Sequence, residues 1–219
     1  MIVIATHNGK EHLKTLLSNL ESFKLDKEIS IIDTMSSNKE SLDFLDEIST
    51  KNIYNLNINI YKTEYRGFDT GAYIYAINNL TAERFYFLQD SIIIKDREFF
   101  DITDNILKPG VVTTFISFPS NFYNIEQYNY CKSTFNTTDY DTGIFGPMFS
   151  ILNEDIQKID KSLLVYPKNK EQQMAMERAW SIIFKKYNLS IRPIEGEKDD
   201  DKLFNDKYKL FTKKFPYRL

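Results

Sequence analysis

Residues 65–95 read Tyr65-Arg66-Gly67-Phe68-Asp69-Thr70-Gly71-Ala72-Tyr73, then IYAINNLTAERF and finally Tyr86-Phe87-Leu88-Gln89-Asp90-Ser91-Ile92-Ile93-Ile94-Lys95. A glycine-bounded turn, 66–71, opens a helix predicted over 70–80. Ala72, Tyr73, Ala76, Ile77 and Leu80 recur there at helical spacing. The apolar run 85–88 predicts a strand buried on both faces. It ends on Gln89-Asp90-Ser91 and resumes as 92–94. Open α/β sheets bind ligands at the C-terminal ends of their strands. A helix and a strand therefore bring two carboxylates, Asp69 and Asp90, to one region.

Upstream, the pattern repeats. Residues 2–5 are an apolar strand, followed by the polar turn Thr6-His7-Asn8-Gly9-Lys10. Leu13, Leu16, Leu17, Leu20 and Phe23 predict an amphipathic helix over 11–23. A second strand, 28–32, ends at Asp33; Ser36-Ser37-Asn38 caps a helix over 40–48. A third strand closes the segment 53–61, where Leu56, Ile58 and Ile60 alternate. Such βα alternation predicts an α/β fold with a mostly parallel, doubly wound sheet and helices on both faces.

Downstream, a short helix is predicted within 96–107 and a strand over 111–118. Residues 121–140 are rich in Tyr, Asn and Thr without a clean period and read as a long irregular segment. A strand is predicted over 148–152, a helix beginning in 154–159, and the longest helix over 171–187. A charged loop, 195–201, leads into an end where Lys207, Lys209, Lys213, Lys214 and Arg218 interleave with Tyr208, Phe211, Phe215 and Tyr217.

Composition narrows the function. A net charge of −3 over 219 residues carries no nucleic-acid signature. A lone cysteine, Cys131, leaves no internal disulfide and no cysteine-rich zinc site. His7 and His12, without further ligands, read as surface residues rather than a zinc pair. No apolar run approaches the ~18 residues of a membrane span. The N-terminus lacks a basic n-region and a cleavage pattern, so the expected location is intracellular. Aromatics make up 15%, read either as core filling or as rings lining a sugar or base pocket.

Four segments in order resemble nucleotide-sugar-dependent glycosyltransferases of the GT-A fold: IVIATHNGK, ISIIDTMSS, YRGFDTGAY and FYFLQDSIII. The last two are closest to rhamnan-synthesis-type enzymes. The match covers residues 1–96 well and the rest loosely. It implies a single domain over 1–219, with a nucleotide-binding half at 1–96 and an acceptor half with a basic tail at 97–219. One departure stands out: Gln89-Asp90-Ser91 carries one carboxylate where the family's Asp-x-Asp motif carries two.

The resemblance implies a UDP- or dTDP-sugar donor, a glycan or polysaccharide acceptor, and Mn²⁺ or Mg²⁺ as cofactor. Asp90 would hold the metal, which acts as Lewis acid on the leaving group; its plainer reading is a turn residue. Thr6 and Asn8 would meet the base and ribose, and Asp33 the uracil or thymine imide. Asp33 alternatively serves only as a strand-end turn carboxylate. Arg66 would contact the diphosphate. Asp69 would bind sugar hydroxyls or ribose, or cap its helix, and Gln89 belongs with the donor-binding set. The acceptor's general base would be Glu177, or Glu171 at the helix start, where the helix dipole also favours a carboxylate. The basic tail would close over the diphosphate, or form a surface or peripheral membrane patch. A catalytically silent binding module and a sugar-nucleotide nucleotidyltransferase are the alternatives.

Overall fold

Three βα units and a fourth strand build the first half. They are β1 (Ile2–Thr6), α1 (Lys10–Ser22), β2 (Ile29–Asp33), α2 (Lys39–Lys51), β3 (Ile58–Lys62), α3 (Phe68–Asn79) and β4 (Arg84–Gln89). The second half continues through β5 (Ile92–Ile94), α4 (Glu98–Ile106), β6 (Val111–Thr114), β7 (Ser117–Phe118), α5 (Ile125–Phe135), β8 (Gly143–Ile144) and β9 (Phe149–Leu152). It ends with α6 (Asn153–Ile156), α7 (Lys170–Lys186), β10 (Ser190–Pro193), α8 (Asp200–Phe204) and β11 (Phe211–Lys213). This computed structural model describes residues 1–64, 68–118, 121–122 and 124–214, without the side chain of Phe204.

Seven strands form one sheet in the order β10-β6-β9-β4-β1-β2-β3. Strands β3, β2, β1 and β4 run parallel. Strand β9 is inserted antiparallel between β4 and β6, and β10 pairs parallel with β6. The apolar runs are continuous because both faces are covered. In β1, Ile2 and Ile4 join Leu13, Leu16, Leu17 and Leu20 of α1 in one core. Val3 and Ala5 join Ala72, Tyr73 and Ala76 of α3 on the other face. A strand buried on both sides cannot alternate, which is why 2–5 and 85–88 read as solid apolar blocks.

The second half departs from the sequence reading. Residues 121–140 hold α5, whose first turn is capped by the Asn124 side chain accepting from the Gln127 amide at 3.0 Å. Its inward stripe is Gln127, Cys131 and Phe135. That stripe is short and opens on a polar residue, so no period stood out. The predicted strand 111–118 divides into β6 and β7, the latter pairing with β8. In the C-terminal segment, β11 pairs antiparallel with β5, and Tyr208 and Phe211 are 3% and 1% exposed. Those two rings are core, not a membrane-facing patch. Phe215, Tyr217 and Arg218 lie outside the described residues. Among the described residues, no helix is long and apolar enough to cross a membrane.

Candidate active site

Register sets the site. Ala5 stands opposite both Ile32 and Gln89, so β1, β2 and β4 end in one row. Asn8 (φ 55°) and Met35 (63°) in the loops leaving β1 and β2, and Phe68 (52°) at the start of α3, stand in the left-handed region. For the latter two that backbone costs about 1–3 kcal/mol, a kind of strain that gathers at binding sites.

Asp90 follows β4 directly. Its Oδ2 accepts from the Thr6 hydroxyl at 2.7 Å. The first turn of α1 crosses it so closely that a Cβ on Gly9 would stand 1.8 Å from that same oxygen. Only glycine allows this approach. Burial, with the neighbouring Asp69 charge also raising it, pushes the Asp90 carboxyl up to about 7, against the pull of Thr6 and Lys213. A pocket of about 330 Å³ opens on Asp90, lined by Glu11, His12, Thr15, Ile93 and Lys214. His12 is thus half-buried at the site, rather than on the open surface.

Asp69 lies in the first turn of α3. Its Oδ2 accepts from Gln89 Nε2 at 2.5 Å and from Gln173 Nε2 of α7 at 3.3 Å. Gln173 Oε1 in turn accepts from the Thr70 amide at 3.4 Å. Burial raises the Asp69 pKa, while Lys213 and Lys170 lower it. Gln89 passes the chain of contacts on: its Oε1 accepts from the ammonium of Lys213, which also donates to the Ser91 hydroxyl.

Glu177 reaches the same crevice from α7. Its Oε1 accepts from the Gly146 amide at 3.1 Å, and Gly146 (φ 62°) backs onto the Gln89 amide. Its Oε2 accepts from Arg178 Nη1 at 2.7 Å. Arg178 is fully buried, with its guanidinium 4.2 Å from the centre of the Phe118 ring. Burial raises the Glu177 pKa even against this arginine.

Other sequence candidates stand apart. Glu171 Oε2 accepts from Asn124 at 3.0 Å and Gln127 at 3.4 Å, lacing α7 to α5. Asp33 is 2% exposed, and its Oδ1 accepts from the Ser36 amide at 3.0 Å. Asn8 Oδ1 accepts from the Ser37 and Asn38 amides at 2.8 and 3.0 Å, so its side chain ties two loops together. Arg66 lies outside the described residues. Thr6, Asp69, Gln89, Asp90 and Glu177 converge. Lys213, Gln173, Gly9 and Gly146 join them; sequence reasoning named Lys213 within a basic tail set over the diphosphate and missed the part of the other three. For Lys213 the basic tail was a signal without an address; for Gln173 there was none.

No protein-family model matches the sequence, and no curated protein matches it. Solved structures do share its architecture. The chain is similar to S. aureus TarS 1–349, at 16% identity and TM-score 0.51, over 82% of this chain and 55% of that one. The same figures for TarS 1–349 in complex with UDP-GlcNAc are 16%, 0.51, 82% and 53%. The mannosyltransferase PcManGT from Pyrobaculum calidifontis, in complex with GDP-Man and Mn²⁺, matches at 14% and 0.53, over 74% of this chain and 49% of that one. The chain spans about half the length of the solved structures it matches. At such identities the likeness is one of fold, and the fold is GT-A.

Proposed function

We propose that the chain is a glycosyltransferase that moves a sugar from a UDP or dTDP donor to a glycan or polysaccharide hydroxyl by single displacement with inversion. One observation carries the reading. Within a GT-A sheet, Asp69, Gln89 and Asp90 meet Glu177 of α7 at the C-terminal edge. The donor's diphosphate belongs over the end of β4, and Asp69 faces its sugar. The loops after β1 and β2, bound to each other through Asn8, make a firm wall for the base, with Asp33 at its foot.

In the reaction the acceptor oxygen bonds to the anomeric carbon while the bond from that carbon to phosphate breaks. The nucleoside diphosphate leaves with the electron pair. The hydroxyl proton passes to Glu177, whose burial-raised pKa makes it a stronger base than a solvated carboxylate. Arg178 and the Gly146 amide hold its orientation.

Mn²⁺ or Mg²⁺ in such a site would supply a Lewis acid at the departing phosphate. The side chains around Asp90 do not fit a carboxylate-held divalent ion. Gln89 brings an amide, both ends of which are engaged, and Asp90 Oδ2 is taken by Thr6. Among the described residues, no group of three or more His, Cys, Asp or Glu could hold a metal.

Calorimetric titration of UDP and dTDP into the protein tests the reading, followed by transfer assays with donor sugars. Micromolar to sub-millimolar binding of one nucleotide is expected. No binding of either at millimolar concentration, with and without manganese, would overturn it.

A further inference from the structure

Lys213 is a cation in the crevice to which the chemistry of transfer assigns no task. It comes from the far end of the chain, and the fold goes to some length to deliver it. Strand β11 pairs antiparallel with β5, setting Lys213 opposite Ile92. The next residue locks the register, as the Lys214 amide donates to Ser91 O at 2.8 Å. The ammonium then donates to Gln89 Oε1 and Ser91 Oγ, the two side chains that flank Asp90 in sequence.

Resting on the nucleotide-sugar reading above, we infer that Lys213 is the resident cation of this site and neutralises the donor's diphosphate where a divalent ion would otherwise stand. Three observations carry it. The first is position: the ammonium lies on the end of β4, within electrostatic reach of Asp69, Asp90 and Glu177. The second is the partner set. A divalent ion needs anionic oxygens, but the groups Lys213 touches are a neutral amide and a hydroxyl. These suit an ammonium, which has three donors and no acceptor; two are spent here and one remains to meet a phosphate oxygen. The third is the placing of negative charge. Asp69 and Asp90 lie around the lysine rather than on it; burial pulls its pKa down, and these carboxylates oppose that pull without consuming its donors. A lysine is well suited to hold phosphate as a point charge. The arrangement also explains why the chain folds its C-terminal strand back onto β5: the site is incomplete without it.

UDP titrated calorimetrically into the full chain, in EDTA and in manganese chloride, tests this. The expected result is wild-type binding that agrees within about threefold in the two buffers. Lys213→Met should weaken binding in EDTA by at least about tenfold, the scale of one charge-assisted contact. Lys213→Arg should stay within about fivefold of wild type, since it keeps the charge. Thermal melts of both variants check that they fold. A measurement on the unaltered protein guards against a variant that does not fold. Reductive methylation in EDTA, read by peptide mass, should find Lys213 protected by UDP. Binding by the wild type only in manganese overturns the role of Lys213 and leaves the glycosyltransferase reading standing. Wild-type binding of neither UDP nor dTDP in either buffer overturns both. A folded Lys213→Met that binds as wild type does, or unprotected labelling at Lys213 under saturating UDP, overturns this inference alone.

Discussion

At the N-terminal end of β4, Arg84 and Tyr86 meet Asp104 of α4 and Lys27; at its C-terminal end, Gln89 and Asp90 meet Asp69 and Lys213. Both clusters are half-buried, and both pair carboxylate with lysine. At the first, one carboxylate collects three donors. Arg84 Nη1 reaches Asp104 at 3.0 Å, Lys27 Nζ at 3.1 Å, and the Tyr86 hydroxyl also donates to it. Burial raises the Asp104 pKa, but Tyr86, Lys27 and Arg84 together outweigh it and hold the carboxyl below its usual range. At the second end the balance reverses. Asp69 and Asp90 both draw on the Lys213 ammonium, burial outweighs it at each, and Asp90 is carried up to about 7. A satisfied cluster stabilises the fold. A cluster whose carboxylates are raised by burial gives up stability, as functional sites do.

The sharpest way to separate the two ends is to remove the base. Glu177→Gln keeps the shape and deletes the proton acceptor, so transfer should fall by about 10²–10⁴-fold with donor binding intact. Near wild-type turnover would put the base elsewhere and remove α7 from the active end.

Asp104→Asn attacks the satisfied end. It leaves Lys27 short of a counter-charge and Arg84 with Glu83 alone, and the Asp104 side chain is 31% exposed, which trims the cost. A loss of about 2 kcal/mol is expected, or roughly 4–8 °C in melting temperature, with UDP affinity unchanged. The sign with pH follows from the depressed pKa. This stability is present above the unfolded-state value of 3.8 and disappears as pH falls through the lower folded value. A deficit that persists unchanged well below pH 3 would mean that the ion cluster is not its source.

Asp90→Asn should do the opposite. Here the folded pKa, about 7, lies above the unfolded 3.8, so the native state holds the extra proton. Stability therefore falls as pH rises from about 4 to 7, and the asparagine escapes that loss. The variant should melt about 2–4 °C above wild type at pH 7.5 and level with it near pH 4. If it melts lower at pH 7.5, Asp90 is a structural carboxylate like Asp104 and the contrast collapses.

The smallest effect belongs to Glu171→Gln. Its carboxylate ties α7 to α5, away from the crevice. Transfer within about threefold of wild type and stability within ~0.5 kcal/mol are expected. A hundredfold loss of transfer would exchange the roles of Glu171 and Glu177.

Much of the first half was legible because its signals are local. A strand buried on both faces must be an apolar block, and a carboxylate just past it must sit at the sheet edge, so Asp69 and Asp90 could be paired from residues 65–95 alone. Helix α5 escaped because its buried stripe begins with Gln127, whose polarity hides the period. Strand β9 was legible as a strand, but its antiparallel insertion was not, since direction depends on which neighbours it finds. Lys213 lies 124 residues from Gln89, and Gln173 lies 104 from Asp69. The basic tail marks Lys213 only as one of several cations, and nothing in the local pattern marks Gln173. Their roles arise only when β11 docks on β5 and α7 packs beside α3. Burial then makes each polar group take whatever partner the packing leaves within reach, because an unpaired one is costly. Sequence periodicity decided which edge of the sheet would carry the chemistry. Tertiary packing decided which cation stands there.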